Sequence, residues 1–158
     1  MKHNKLSVYS AWILLTEAVG LVSAWLSRNG TDIFQETAIQ PPLSPPAILF
    51  PIVWTILYAL MGIGAARVSM TPASKERSRG LNLFVAQLIV NFFWSLIFFN
   101  AQAYGFAFLW LLLLFALALW MTLEFLKSDS LAAVLQIPYL LWLLFAAYLN
   151  WGVWMLNR

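Results

Sequence analysis

The sequence contains no cysteine and only one histidine, His3, in a chain of 158 residues. The absence of cysteine excludes disulfide bonds, metal sites built on thiolates and a cysteine nucleophile. Charged residues are also scarce: they make up 9% of the chain, whereas soluble domains carry about a quarter. A chain with so few charges cannot cover a surface that faces water.

Hydrophobic residues make up 63% of the sequence, and the mean hydropathy is +0.81. The apolar residues fall into five runs, each close to the roughly 20 residues that span a hydrocarbon core. The first run is longer than a signal-peptide core, and no cleavage site of small residues follows it. We therefore predict a single domain, residues 1–158, that is an all-α bundle of five transmembrane helices at about 8–26, 46–68, 81–100, 104–126 and 131–156.

The connections between the runs are polar, and their charges predict the topology. Residues 27–44 form a long polar connection expected to cover one mouth of the bundle, and residues 69–80 form a basic loop. Cytoplasmic loops are enriched in Lys and Arg, so we expect a multi-pass protein of the cell membrane with a cytoplasmic N-terminus. One side carries Lys2, Lys5, Arg67, Lys75, Arg77, Arg79 and Lys127, and the other carries Arg28 and Arg158. The net charge of +3 is too thinly spread to predict a nucleic-acid partner.

Glu17 is a carboxylate in the middle of the first apolar run. Such a group is costly in hydrocarbon, so we expect it to face the interior of the bundle. Two readings stay open: a protonated side chain that forms a hydrogen bond to another helix, and a group that contacts a ligand.

Aromatic and polar residues recur at helical spacing in three of the runs. In the second run, Pro45 and Pro46 predict the start of a helix and Pro51 predicts a kink. The residues that share one face on each helix are Phe50, Trp54, Tyr58 and Met61; Gln87, Asn91, Trp94, Ser95 and Phe98; and Tyr139, Trp142, Ala146, Leu149 and Asn150. Spacing alone is compatible both with interhelical packing and with a ligand site. The fourth run is apolar all round and is assigned to packing and lipid contact.

These motifs resemble the TspO/MBR family, which comprises tryptophan-rich sensory proteins and mitochondrial translocator (peripheral benzodiazepine receptor) proteins. The resemblance covers most of the chain and occurs in order on three runs. Its residues are Pro45-Pro46, Phe50, Val53-Trp54, Leu57-Tyr58 and Met61-Gly62; Gln87-Leu88, Asn91, Trp94 and Phe98-Phe99; and Pro138-Tyr139, Trp142, Phe145-Ala146, Leu149-Asn150 and Asn157.

The resemblance implies a five-helix membrane protein that forms homodimers and binds porphyrins such as protoporphyrin IX, sterols in some members, and synthetic isoquinolines or benzodiazepines. No cofactor or metal is required for this activity. The implied ligand pocket is lined by Trp54, Asn91, Trp94, Trp142, Phe145, Ala146 and Leu149, with Phe50, Tyr58 and Gln87 nearby.

The sequence departs from the family pattern at several places. Pro42, Leu43 and Ala47 replace an aromatic pair and a basic residue that flank the double proline in many members. Trp110 replaces an acidic residue that some members carry early in the fourth run. Residues 149–155 lack the tyrosine and the base of the sterol-recognition pattern, so specific sterol binding is not expected.

The function expected from the sequence is therefore a tetrapyrrole-binding translocator or sensory protein with an aromatic pocket inside the membrane. The first alternative is an enzyme that degrades porphyrin with light and oxygen, in which indoles such as Trp54 and Trp142 take part in one-electron chemistry. It is less favoured because no acid–base pair accompanies them. The second alternative is a small-molecule transporter, although the sequence shows neither internal repeats nor paired broken helices.

Overall fold

A computed structural model describes residues 4–158; His3 and Lys2 lie outside this range. The described chain is helical, and five of its segments are long and apolar enough to cross a membrane, as predicted. The helices are α1 (Lys5–Thr37), α2 (Leu49–Ser69), α3 (Lys75–Ser95), a π-helical turn (Leu96–Asn100), α4 (Tyr104–Ser128), α5 (Ser130–Val134) and α6 (Ile137–Leu156). Short α5 and α6 together form the fifth of these segments.

Helix α1 is much longer than predicted, because the polar residues after Leu26 continue the helix instead of ending it. Ser27, Thr31 and Thr37 each donate a hydrogen bond to the carbonyl oxygen four residues earlier, so their hydroxyls are satisfied within the helix. Phe34 is buried against Phe98, with ring centroids 5.2 Å apart, and this contact fixes the last turns of α1. The predicted connection at residues 27–44 is therefore wrong at its start, and the chain leaves the helix after Thr37.

The segment at residues 38–48 is packed on α6. The side chain of Asn157 exchanges two hydrogen bonds with the backbone of Ile39, and the Tyr148 hydroxyl donates to the Pro42 carbonyl at 2.7 Å. A turn then leads into α2, which begins at Leu49, three residues after Pro46. Pro51 lies in the first helical turn rather than at a kink, because an N–H group there has no partner within the helix in any case.

The connections at the other end of the bundle are shorter than the sequence indicated. Helix α3 begins at Lys75, where the Ser74 hydroxyl caps it by accepting from the Arg77 N–H, so the basic residues predicted in a loop lie on a helix. Between α4 and α5 only Asp129 is not helical. Its carboxylate accepts from the Ala132 N–H at 2.9 Å and pairs with Arg67 at 2.9 Å.

The main hydrophobic core fills the half of the bundle next to residues 70–74 and extends to the inner wall of the cavity. Phe84 and Phe125 stack there with ring centroids 6.3 Å apart, and Met61 is completely buried beside them. Gly62 brings α2 against α1 so closely that a Cβ atom on it would lie 2.8 Å from the Cα atom of Ile13. This half of the bundle is therefore filled, whereas the half next to residues 38–48 encloses a cavity.

Candidate ligand-binding cavity

A cavity of about 430 Å³ lies between α1, α2, α3 and α6, with Leu111 and Leu114 of α4 also in its lining. It belongs to the size range in which small-molecule sites occur. The connecting segment also contributes to the cavity lining, through Gln40, Ser44 and Ala47. The segment therefore lies at the cavity, at the end of the bundle that it was expected to cover. Of the residues predicted to form the pocket, those that line the cavity are Phe50, Trp54, Tyr58, Asn91, Trp94, Trp142, Ala146 and Leu149.

Trp54 is at the centre of one aromatic wall. Its ring centroid is 5.4 Å from that of Tyr58 on the same helix and 6.5 Å from that of Trp142 on α6. Phe50 extends the wall by an edge-to-face contact with Trp142 at 5.9 Å. Such contacts between aromatic rings stabilise their relative orientation beyond simple burial, so these rings form a preorganised apolar surface.

Trp94 forms a second aromatic group with Phe98, on which it stacks at 5.0 Å. The Trp94 indole N–H donates to the side-chain oxygen of Asn150 at 3.1 Å. The Asn150 amide in turn donates to the Tyr104 carbonyl at 2.8 Å, which fixes the orientation of the amide. The indole N–H of Trp94 is thus occupied within the protein, and its ring is held in place at the cavity.

Gln87 and Phe145 do not line the cavity. Gln87 is completely buried and bonded to Tyr139 behind Asn91. Phe145 lies in an apolar groove on the outside of the bundle between α2 and α6, with its ring centroid 5.5 Å from that of Trp142. Trp142 borders both the groove and the cavity, so it separates Phe145 from the interior.

Sequence reasoning missed the wall that α1 contributes. Its lining residues are mainly small or hydroxyl-bearing: Gly20, Ser23, Ala24, Ser27 and Thr31. Their spacing of three, one, three and four was a readable signal of one helix face. A Cβ atom on Gly20 would collide with the ring of Tyr58, so glycine makes room for this ring.

Two charged residues of α1, Arg28 and Asp32, also line the cavity and are exposed. The Arg28 guanidinium lies over the Trp25 ring at 4.5 Å and donates to the Trp25 carbonyl at 2.6 Å. The side chains of Arg28 and Asp32, which carry opposite charges, therefore lie at the solvent-exposed end of a cavity whose interior is aromatic.

Glu17 is half-buried and does not line the cavity. Among residues 4–158 it forms no hydrogen bond or ion pair, so the expected hydrogen bond to another helix is not observed, and contact with a ligand stays a prediction. The neighbouring Thr16 hydroxyl makes the interhelical bond instead, to the Tyr58 carbonyl at 2.7 Å.

Within the described part of the chain, no group of three or more His, Cys, Asp or Glu side chains could hold a metal ion.

Comparison with known proteins identifies the family, since residues 12–155 match the TspO/MBR family. The chain belongs to the TspO/MBR family. It is 36% identical to the tryptophan-rich protein TspO of Chlorobaculum tepidum over 89% of both chains. It is 31% identical to protein CrtK of Rhodobacter capsulatus over 96% of this chain and 94% of that one, and 36% identical to the translocator protein of Ovis aries over 75% and 72%.

As a TspO/MBR protein with five long apolar helices, the chain is a multi-pass membrane protein. Its relatives include both tryptophan-rich proteins and translocator proteins. The aromatic clusters on α2, α3 and α6 are present, and they converge on one cavity.

Proposed function

We propose that the protein binds a large, flat, apolar ligand of the tetrapyrrole class, such as protoporphyrin IX, as a translocator or sensory protein. The observation that carries this proposal is the convergence of Trp54, Trp94 and Trp142 on a cavity of about 430 Å³. A porphyrin is a wide aromatic plate, so indole rings can bury its faces while a few polar groups orient its edge. Asn91 and Tyr58 supply such polar groups at the same cavity.

The main test is a titration of the purified protein with protoporphyrin IX. Bound porphyrin should quench tryptophan fluorescence saturably, and a synthetic isoquinoline ligand should compete for part of the quenching. Ala146→Phe adds a ring to the cavity wall and should lower the affinity by at least about tenfold, which corresponds to about 1.4 kcal/mol. Leu144→Phe is the control, because it adds a ring on the exposed side of the same helix.

Two tryptophan variants extend the test. Trp142→Ala should weaken porphyrin binding because it removes a ring from the cavity wall. Trp120→Ala should leave binding unchanged, since Trp120 is half-exposed on the outer face of α4. Unaltered affinity in a folded Ala146→Phe variant would place the pocket elsewhere, and equal losses at all three positions would indicate general destabilisation.

Light- and oxygen-dependent porphyrin breakdown is the second candidate function. The observation that favours it is the contiguous set of oxidisable rings around Trp54, whose centroid lies 5.4 Å from Tyr58 and 6.3 Å from Tyr139. Illumination of the complex in air should then bleach the porphyrin faster than illumination of free porphyrin, and Trp54→Phe should slow it. A liposome flux assay tests transport in the same preparation.

We propose further that the N-terminus and the segment at residues 70–74 face the cytoplasm, with the cavity towards the opposite side. Arg67, Lys75 and Lys127 lie at the 70–74 end, in agreement with the enrichment of cytoplasmic flanks in positive residues. A reporter inserted near Lys75 should be active in the cytoplasm, and one fused after Arg158 should be active outside it. The reversed pattern would overturn this orientation.

Homodimer formation, which the family resemblance implies, is a separate proposal. Native mass spectrometry of the protein in detergent tests it.

A further inference from the structure

Four buried side chains form a continuous chain of hydrogen bonds that begins at the cavity and ends behind it. The Tyr58 hydroxyl donates to the Asn91 side-chain oxygen at 2.7 Å. The Asn91 amide nitrogen donates to the Tyr139 hydroxyl at 2.8 Å, and this hydroxyl donates to the Gln87 side-chain oxygen at 2.8 Å. Tyr58 and Asn91 line the cavity, whereas Tyr139 and Gln87 are completely buried.

The direction of this chain decides what the cavity offers to a ligand. Because the Tyr58 hydroxyl gives its only hydrogen to Asn91, its oxygen is left as an acceptor. The Tyr58 hydroxyl contacts the side-chain oxygen of Asn91, and the Tyr139 hydroxyl contacts its side-chain nitrogen. The direction of the hydrogen bonds can therefore reverse only if the Asn91 amide rotates by half a turn. After such a turn, Asn91 would donate to Tyr58, and the Tyr58 hydroxyl hydrogen would be free for the cavity.

Gln87 is the end at which the two directions compete. Its side-chain nitrogen is buried and has no hydrogen-bond partner among the described residues. When the Gln87 amide is turned over, its nitrogen donates to Tyr139 and its oxygen becomes the unpaired atom instead. Either direction leaves one buried amide atom of Gln87 unpaired, so the two directions cost similar free energies.

We propose that this chain is a reversible polarity relay, through which Gln87 sets the hydrogen-bonding preference of the cavity without touching the ligand. One direction presents Tyr58 as an acceptor to a ligand N–H group, and the other presents it as a donor to a ligand carbonyl. The proposal rests on the proposed function, since it requires that flat aromatic ligands occupy this cavity. It assigns Gln87 as a positioning residue and Tyr58 as the residue that contacts the ligand.

Two flat tricyclic probes of nearly equal size test the relay. Carbazole carries an N–H donor, and 9-fluorenone carries a carbonyl acceptor. Tryptophan quenching gives the affinity for each probe, and the ratio of the two affinities is the readout. The parent protein should bind both probes more tightly than fluorene, which has neither group, because the relay adapts to each.

Gln87→Leu should lock the relay in one direction. Without an acceptor at Gln87, the Tyr139 hydroxyl can donate only to Asn91, which turns over and makes Tyr58 a donor to the cavity. The N–H group of carbazole then faces the Tyr58 hydroxyl hydrogen, and two donors cannot form a hydrogen bond. The affinity for carbazole relative to that for 9-fluorenone should therefore fall by about tenfold or more. Affinity for 9-fluorenone should stay unchanged or rise. If the leucine variant does not fold, Gln87→Met removes the same amide while it keeps an unbranched side chain.

Gln136→Leu is the matched control, because Gln136 is another completely buried glutamine but lies outside the cavity and the relay. It should leave the affinity ratio unchanged even where it lowers stability. Tyr58→Phe should remove the advantage of both probes over fluorene, since it deletes the group that contacts them.

The outcomes separate this proposal from the proposed function. An equal loss for both probes in the Gln87 variant would overturn the relay while porphyrin binding still stands. Failure of the parent to bind protoporphyrin IX, with a ratio that shifts as expected, would overturn the tetrapyrrole assignment alone. A parent that binds none of the flat probes would overturn both.

Discussion

The two halves of α2 are built from different kinds of side chain, and the two halves of the bundle differ accordingly. The first half carries Phe50 and Trp54 and contains no fully buried residue before Leu57. The second half carries the small residues Gly62 and Gly64 and is largely buried. Large rings at one end and small residues at the other therefore distinguish the hollow half from the filled half.

The contacts of the two glycine-containing surfaces explain how this difference arises. At Gly62 the neighbour is the backbone of α1, so the two helices are in direct contact. At Gly20 the neighbour is the ring of Tyr58, a side chain that faces the cavity. Two helix backbones in direct contact can separate only if a whole helix moves, whereas a ring beside empty space can move alone. The molecule thus separates the part that holds it together from the part that accommodates a ligand.

The largest expected effect follows from breaking the filled half. In Gly62→Ala the new methyl group would lie 2.8 Å from the Cα atom of Ile13, so α1 must move away. Overpacking of this kind should outweigh the helix propensity of alanine and lower the free energy of unfolding by about 2 kcal/mol. Thermal unfolding in detergent measures this loss, with Ile56→Val on the exposed face as the control. An unchanged melting temperature would contradict the rigid seam.

The same substitution in the hollow half should affect binding more than stability. In Gly20→Ala the methyl group displaces the ring of Tyr58, which can move into the cavity. The stability loss should stay below about 1 kcal/mol, while porphyrin affinity falls about tenfold as space and the bond to Asn91 are lost. Ala18→Gly, on the exposed side of α1 and outside the cavity, is the control and should leave binding intact. A variant that unfolds like Gly62→Ala would mean that both seams are equally rigid.

The five helices and the aromatic faces could be predicted from the sequence, because hydropathy and helical spacing are local properties of the chain. The end of α1 could not, since Thr31 and Thr37 are polar but satisfy their hydroxyls on the helix itself. That Phe145 lies outside the cavity, and that Gln87 lies behind Asn91, could not be predicted from spacing either. Whether a residue on the right face reaches the cavity depends on its neighbours: Tyr139 lies against Gln87, and Trp142 lies between Phe145 and the interior.

A smaller effect is expected from the ion pair that closes the filled half. Burial opposes ionisation of Asp129, but hydrogen bonds from the Ala132 N–H and the Arg67 guanidinium outweigh it and lower the pKa of this carboxyl. The resulting stability is present above the ordinary carboxyl pKa of about 4 and is lost as the pH falls through the lowered value. Asp129→Asn keeps a side-chain acceptor for the Ala132 N–H but removes the charge paired with Arg67, so it should cost up to about 1 kcal/mol at pH 7 and should flatten this acid dependence. Arg67→Gln, which removes the other partner of the ion pair, should flatten the acid dependence in the same way.

The smallest effect is expected in the segment that borders the hollow half. Leu43 has a positive φ of 69° and a side chain that is 81% exposed, so it adopts a strained backbone conformation without a compensating burial. Leu43→Gly relieves this strain but adds freedom to the unfolded chain, and the net gain in unfolding free energy should be about 0.5 kcal/mol. Ala47→Gly, in the same segment with an ordinary φ, should instead lower stability slightly. Thermal unfolding of both variants measures the difference, and a loss of stability in both would show that the Leu43 side chain holds the segment in place.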